Sequence, residues 1–135
     1  MKKEVLSARG EISVSEASKL MVENDKWYII VLKAGSPVGI VTEKDFVSKV
    51  MSKDLKPKKV KLFDIMSSPL VTVDPDADLS KAIEIMREKG VRKLPVVRDS
   101  VIYGVITARD VISHFEDYVN KSIREIITYT FPLRF

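Results

Sequence analysis

Thr42 and Asp45 recur 65 positions later as Thr107 and Asp110. A threonine followed three residues on by a carboxylate supports two kinds of chemistry. At a helix start the hydroxyl accepts from a first-turn N–H and the carboxylate accepts from the threonine N–H, a cap worth about 0.5–2 kcal/mol. The same helix start offers unpaired N–H groups and partial positive charge to a phosphate, and an aspartate offers two acceptor oxygens to a ribose cis-diol. The spacing is compatible with both and by itself decides neither.

Other chemistries find little support. The chain has no cysteine, hence no thiolate chemistry and no disulfide framework, and its one histidine, His114, rules out a multi-histidine metal site. There is no Gly-x-x-x-x-Gly-Lys loop, and no spacing suggests a nucleophile beside a base. No catalytic residue, metal or catalytic cofactor is therefore expected, and the chain reads as a non-enzyme.

The elements that hold the two motifs repeat with them. Gly39-Ile-Val-Thr-Glu-Lys-Asp45 matches Gly104-Val-Ile-Thr-Ala-Arg-Asp110, and the offset runs without a gap from 12–50 against 77–115. Such a duplication implies two similar halves packed about a pseudo-two-fold axis, with matching clefts between them. Ser13 and Asp78 open amphipathic helices in which Ala17, Leu20 and Met21 repeat as Ala82, Ile85 and Met86; this i, i+3, i+4 stripe is core. Gly90 ends the second of these helices in a left-handed position, which Asp25 occupies in the first.

Two Ile- and Val-rich runs, 28–33 and 93–98, turn at 34–36 and 99–100 and return over 38–41 and 103–106 as antiparallel hairpins. A helix then starts at each threonine, with Phe46, Val47 and Val50, or Val111, Ile112 and Phe115, on its apolar side. Ahead of the second repeat, 69–75 alternates as a short strand bounded by prolines. The fold class is α/β: two β-α-β-β-α repeats, each a small three-stranded sheet with two helices.

At 135 residues the chain suffices for one ordinary domain or two small halves sharing a core. Its net charge of +4 favours anionic partners. Lys53, Lys56, Lys58, Lys59 and Lys61 crowd the segment between the repeats, which reads as a solvated connector; aromatic residues for base stacking are absent there until Phe63. No signal peptide is evident at the N-terminus, and no run approaches the roughly 20 apolar residues of a membrane span. A soluble cytoplasmic protein without membrane contact is the expectation.

The run Asp64-Ile-Met-Ser-Ser-Pro-Leu-Val-Thr-Val-Asp-Pro75, followed by Ala82-Ile-Glu-Ile-Met86, Gly90-Val-Arg-Lys-Leu-Pro-Val-Val97 and Gly104-Val-Ile-Thr-Ala-Arg-Asp110, resembles a tandem CBS-domain, or Bateman, module. The resemblance covers about residues 3–118 and divides the chain into a first repeat at 3–51, a Lys-rich linker at 52–63, a second repeat at 64–118 and an extension at 119–135. It implies a regulatory module that binds an adenine nucleotide (AMP, ADP or ATP, with S-adenosylmethionine ranked below them) between the repeats and signals by a conformational or dimer change. A homodimer and an unidentified effector protein are the implied partners, since no effector domain is recognised. A nucleic-acid-binding module or a purely structural dimerisation module is the alternative.

Carried over by position, the family's ribose aspartate falls on Asp45 and Asp110 and its hydroxyl on Thr42 and Thr107. Basic residues of the opposite repeat meet the phosphates in related modules. The resemblance thus assigns Arg92, Lys93 and Arg109 to the cleft of Asp45, with Pro95 against the base. The cleft of Asp110 departs from the pattern, with Trp27, Tyr28 and Ile30 in place of Arg92, Lys93 and Pro95, leaving Lys44 as its cation. Unequal sites follow. Beyond the repeats, Ile123, Ile126 and Ile127 with Tyr129, Phe131, Leu133 and Phe135 need cover, from the same chain or from a homodimer.

Overall fold

A computed structural model describes residues 5–115, so the expectations placed on the extension lie outside the described residues. The first half runs β1 (Ser7–Arg9), α1 (Val14–Glu23), β2 (Tyr28–Lys33), β3 (Ser36–Thr42) and α2 (Glu43–Lys49). Two short 3-10 turns, Met51–Lys53 and Pro57–Lys59, lead to α3 (Leu62–Ile65). The second half follows as α4 (Leu79–Lys89), β4 (Lys93–Arg98), β5 (Val101–Thr107) and α5 (Ala108–Phe115).

Each hairpin closes through two residues with positive φ, Ala34 and Gly35 in one and Asp99 and Ser100 in the other. Two such residues match the right-handed twist of the flanking strands. Both hairpins also shift register at equivalent points, Val31/Leu32 and Val96/Val97. Asp25 (φ 51) and Gly90 (φ 66) take the left-handed conformation expected of them, and the next N–H in each case returns to Met21 O or Met86 O.

The sheets differ between the halves. In the first, β1 pairs parallel to β2 and completes a three-stranded sheet. In the second, the strand expected at 69–75 shrinks to one parallel bridge, Val73 with Val96, held by Val73 N–H to Pro95 O and Val97 N–H to Val73 O. Pro95 has no N–H to give, and Pro69 and Pro75 bracket the segment, so the ladder stops after those two bonds. The Arg98 guanidinium anchors the turn after this bridge by bonding Asp74 and Asp76, and it holds the Asp74 carboxyl below its ordinary pKa.

Two cores form. Val14, Ala17, Met21, Ile29, Val31 and Val41 fill the first, and Ala82, Met86, Leu94 and Val111 the second. The Lys-rich segment is not wholly a solvated connector, because Val60, Leu62 and Ile65 are buried in the first core. Its lysines and Leu55 are exposed while Val60 and Leu62 point inward, and Val14 N–H to Val60 O (2.7 Å) and Leu62 N–H to Ile12 O (3.1 Å) fasten it alongside 12–14. Further on, Ser67 exchanges both backbone bonds with Ile40.

The expected apolar faces of α2 and α5 need correction. Phe46 and Val50 pack on the first core and Val111 lies in the second, but Val47 is 58% exposed and Ile112 67%. Residues at i and i+4 share a helix face, whereas i+1 turns about 100° away. Among the described residues no helix is long and apolar enough to cross a membrane.

Candidate functional site

The two Thr-x-x-Asp motifs are built alike and loaded differently. In each, an extended strand delivers the threonine to the N-cap and the aspartate carboxylate accepts from its N–H, at 2.9 Å for Asp45 on Thr42 and 2.8 Å for Asp110 on Thr107. Both motifs have the reciprocal capping-box arrangement, and in the second Asp110 N–H donates to Thr107 Oγ1 at 3.1 Å. Asp45 is 8% exposed and its other oxygen faces Lys49 Nζ at 3.0 Å, while Lys49 also donates to Ile65 O. Asp110 is exposed.

Each motif opens into a cleft between the halves. The first cleft, of about 640 Å³, has Thr42, Lys44 and Asp45 on one wall, Arg92 and Lys93 on the other, and Pro69 and Val71 between. That volume is within the roughly 300–1,000 Å³ of small-molecule sites. Five cationic side chains (Lys44, Lys49, Lys89, Arg92 and Lys93) stand against two carboxylates, Glu43 and Asp45. Lys49 is paired with Asp45 and Lys93 with Glu43, and Lys44, Lys89 and Arg92 make no ion pair among the described residues. The first cleft is therefore positive, beside the N-terminus of α2.

The second cleft, of about 720 Å³ and more open, joins Thr107 and Asp110 to Trp27 and Tyr28 as the sequence implies, and adds Tyr103 and His114. Two cations, Lys26 and Lys93, balance two carboxylates, Asp25 and Asp110. Burial pushes the Tyr28 phenol above its ordinary pKa, partly offset by a hydrogen bond with the Leu6 backbone, so the phenol stays neutral at physiological pH.

Three expected placements change. Pro95 is fully buried in mid-sheet opposite Val105 and lines neither cleft. Arg109 is exposed, yet as the second residue of α5 it lies off the cleft wall and lines neither. Lys44, its counterpart in the repeat, lines the cleft of Asp45 and not that of Asp110. Glu43, Lys49 and Lys89 were not singled out from the sequence. Lys49 carried a signal, its i+4 spacing from Asp45; the partner of Glu43 lies 50 residues away and left none.

A CBS-domain family model matches residues 1–52 and 62–117. The chain belongs to the CBS-domain family. As a CBS pair it is 35% identical over 132 residues to an uncharacterized protein of Methanocaldococcus jannaschii, covering 96% of this chain and 70% of that one. It is 36% identical to an uncharacterized protein of Methanopyrus kandleri, covering 85% of this chain and 59% of the relative's own length, so the CBS pair spans little more than half of that protein. Among solved structures, a putative signal-transduction protein with CBS domains from Burkholderia ambifaria superposes with a TM-score of 0.81 at 25% identity, over 90% of this chain and 89% of that one. The CBS domain pair of protein MJ0100, solved with 5-methylthioadenosine and S-adenosyl-L-methionine, shares the fold at a TM-score of 0.74 and 24% identity, over 84% of this chain and 93% of that one.

Proposed function

We propose that this CBS pair is a ligand sensor whose first cleft binds an adenine nucleotide, AMP, ADP or ATP. The observation that carries the reading is the positive lining of that cleft at the start of α2, with three cations free of ion pairs among the described residues. Asp45 and Thr42 take the ribose, since the carboxylate keeps acceptor capacity beyond the bonds it already makes and the threonine hydroxyl, an acceptor in the cap, keeps its own O–H to donate. Lys44, Arg92 and Lys93 take the phosphates together with the α2 N-terminus. The second cleft, with Thr107 and Asp110 but balanced charge, binds the same ligands more weakly. That MJ0100 holds two adenosine compounds speaks for the capacity of the fold and leaves the choice of ligand to the residues here.

A nucleotide spanning the halves favours one arrangement of them by its differential affinity, and an effector protein or a second copy reads that arrangement. Val47 and Ile112, exposed at equivalent positions of the two halves, are the apolar surface that a homodimer would cover. A thermal-shift panel of AMP, ADP, ATP, S-adenosylmethionine and a short DNA duplex tests the reading. A native-state ligand at 100 times its dissociation constant stabilises by about 2.7 kcal/mol. Stabilisation by a nucleotide that Asp45→Ala abolishes is the expected result; stabilisation by DNA alone, steeply salt-dependent, would overturn it in favour of a nucleic-acid module.

A further inference from the structure

Lys93 is the cation that both clefts share, and it is already engaged. It opens β4 opposite Thr107, and its side chain, 16% exposed, reaches across to the other half, where Nζ lies 3.1 and 3.3 Å from the two oxygens of Glu43. Glu43 is the first residue of α2 and lines the first cleft beside Thr42, Lys44 and Asp45. Glu43 therefore stands against an incoming anion twice, occupying Lys93 and placing a negative charge on the cleft wall.

We infer that Glu43 is a tethered competitor for the anionic group of the ligand. The inference rests on the first cleft binding a phosphorylated ligand, and it names the residue that sets how strongly charge is read. A phosphate entering the first cleft gains Lys93 only by displacing Glu43, so apparent affinity falls by the fraction of time that Lys93 is free. A neutral nucleoside does not call on Lys93 and is indifferent to the exchange. The displaced pair is also an ion pair between the halves, so the anion replaces an internal bridge with one of its own.

Calorimetric titration of AMP and adenosine into the wild type, Glu43→Gln, Lys93→Met and the double variant tests this. Exposed ion pairs are weak, and removing both the competition and the repulsion tightens AMP roughly three- to tenfold in Glu43→Gln while adenosine stays within about twofold. In Lys93→Met AMP weakens, and adding Glu43→Gln to it restores much less than it gains in the wild type. Glu43→Ala, which removes the carboxylate by another route, reproduces the sign. AMP unchanged or weaker in Glu43→Gln, adenosine tightened equally, or the full gain surviving without Lys93 would each overturn the competitor while leaving the nucleotide reading in place. A wild type that binds neither ligand overturns both.

Discussion

The asymmetry of the clefts leads to a measurable separation of affinities. Lys44, Lys89 and Arg92 line the first cleft without ion pairs among the described residues, whereas the second cleft balances Lys26 and Lys93 against Asp25 and Asp110. Arg92 and Lys44 are exposed, which places each phosphate contact between a surface ion pair and a buried charge-assisted hydrogen bond, about 0.7–1.4 kcal/mol. The two of them proposed to meet the phosphates, Lys44 and Arg92, sum to about 1.4–2.8 kcal/mol, or roughly 10- to 100-fold between clefts. AMP titrated by calorimetry should thus show a tight and a weak class. Arg92→Gln and Lys44→Gln should each weaken the tight class roughly three- to tenfold and leave the weak one within about twofold. Added salt should narrow the gap, because these charges are exposed. A single dissociation constant for two sites, or an Arg92→Gln variant that weakens both classes alike, would refute the reasoning.

Three more outcomes follow from the packing. Asp45→Ala should cost about 2 kcal/mol in urea denaturation and Asp110→Ala about 0.5–1, since Asp45 is buried and also bonds Lys49 whereas Asp110 only caps. Gly39→Ala should lower the melting temperature and weaken the first cleft, because the added Cβ would lie 2.7 Å from Ser67 O and 2.8 Å from Met66 Sδ. The strain of such overpacking is about 1–3 kcal/mol. Arg98 holds the Asp74 carboxyl below its ordinary value, so the pair stabilises the fold above the unfolded pKa and that stability is lost as pH falls through the folded one. Arg98→Gln should accordingly lower the thermal midpoint at neutral pH, and the gap to wild type should shrink below about pH 4.

Local rules carried the fold a long way. The repeat offset, the hairpins at 28–42 and 93–107, and the left-handed Asp25 and Gly90 each depend on residues close in sequence, where periodicity and turn chemistry suffice. What escaped depends on the other half or on facing angle. Val47 and Ile112 follow a core residue by one position and look apolar in a string of letters, yet face away from the core. Lys44 and Arg109 occupy equivalent positions, and only the packed arrangement separates the one on a cleft wall from the one beside it. The placement of Thr42, Asp45, Arg92 and Lys93 around one cavity was legible through the family resemblance, which sets the basic segment of one repeat against the helix start of the other. The Glu43–Lys93 pair was not, because charge complementarity between residues 50 apart has no periodic signature.

Val60, Leu62 and Ile65 complete the core of the first half although they follow its last strand and helix, and Ser67 then closes on Ile40. This stagger has a consequence during synthesis. N-terminal units tend to fold as they emerge from the ribosome. Here the first half is missing three core side chains until residue 65 is free, and its backbone closure until residue 67. The duplicated genetic unit and the cooperative folding unit are therefore out of phase. A nascent chain halted at residue 51 exposes an unfinished core, and translation of the opening of the second repeat is what lets the first one close.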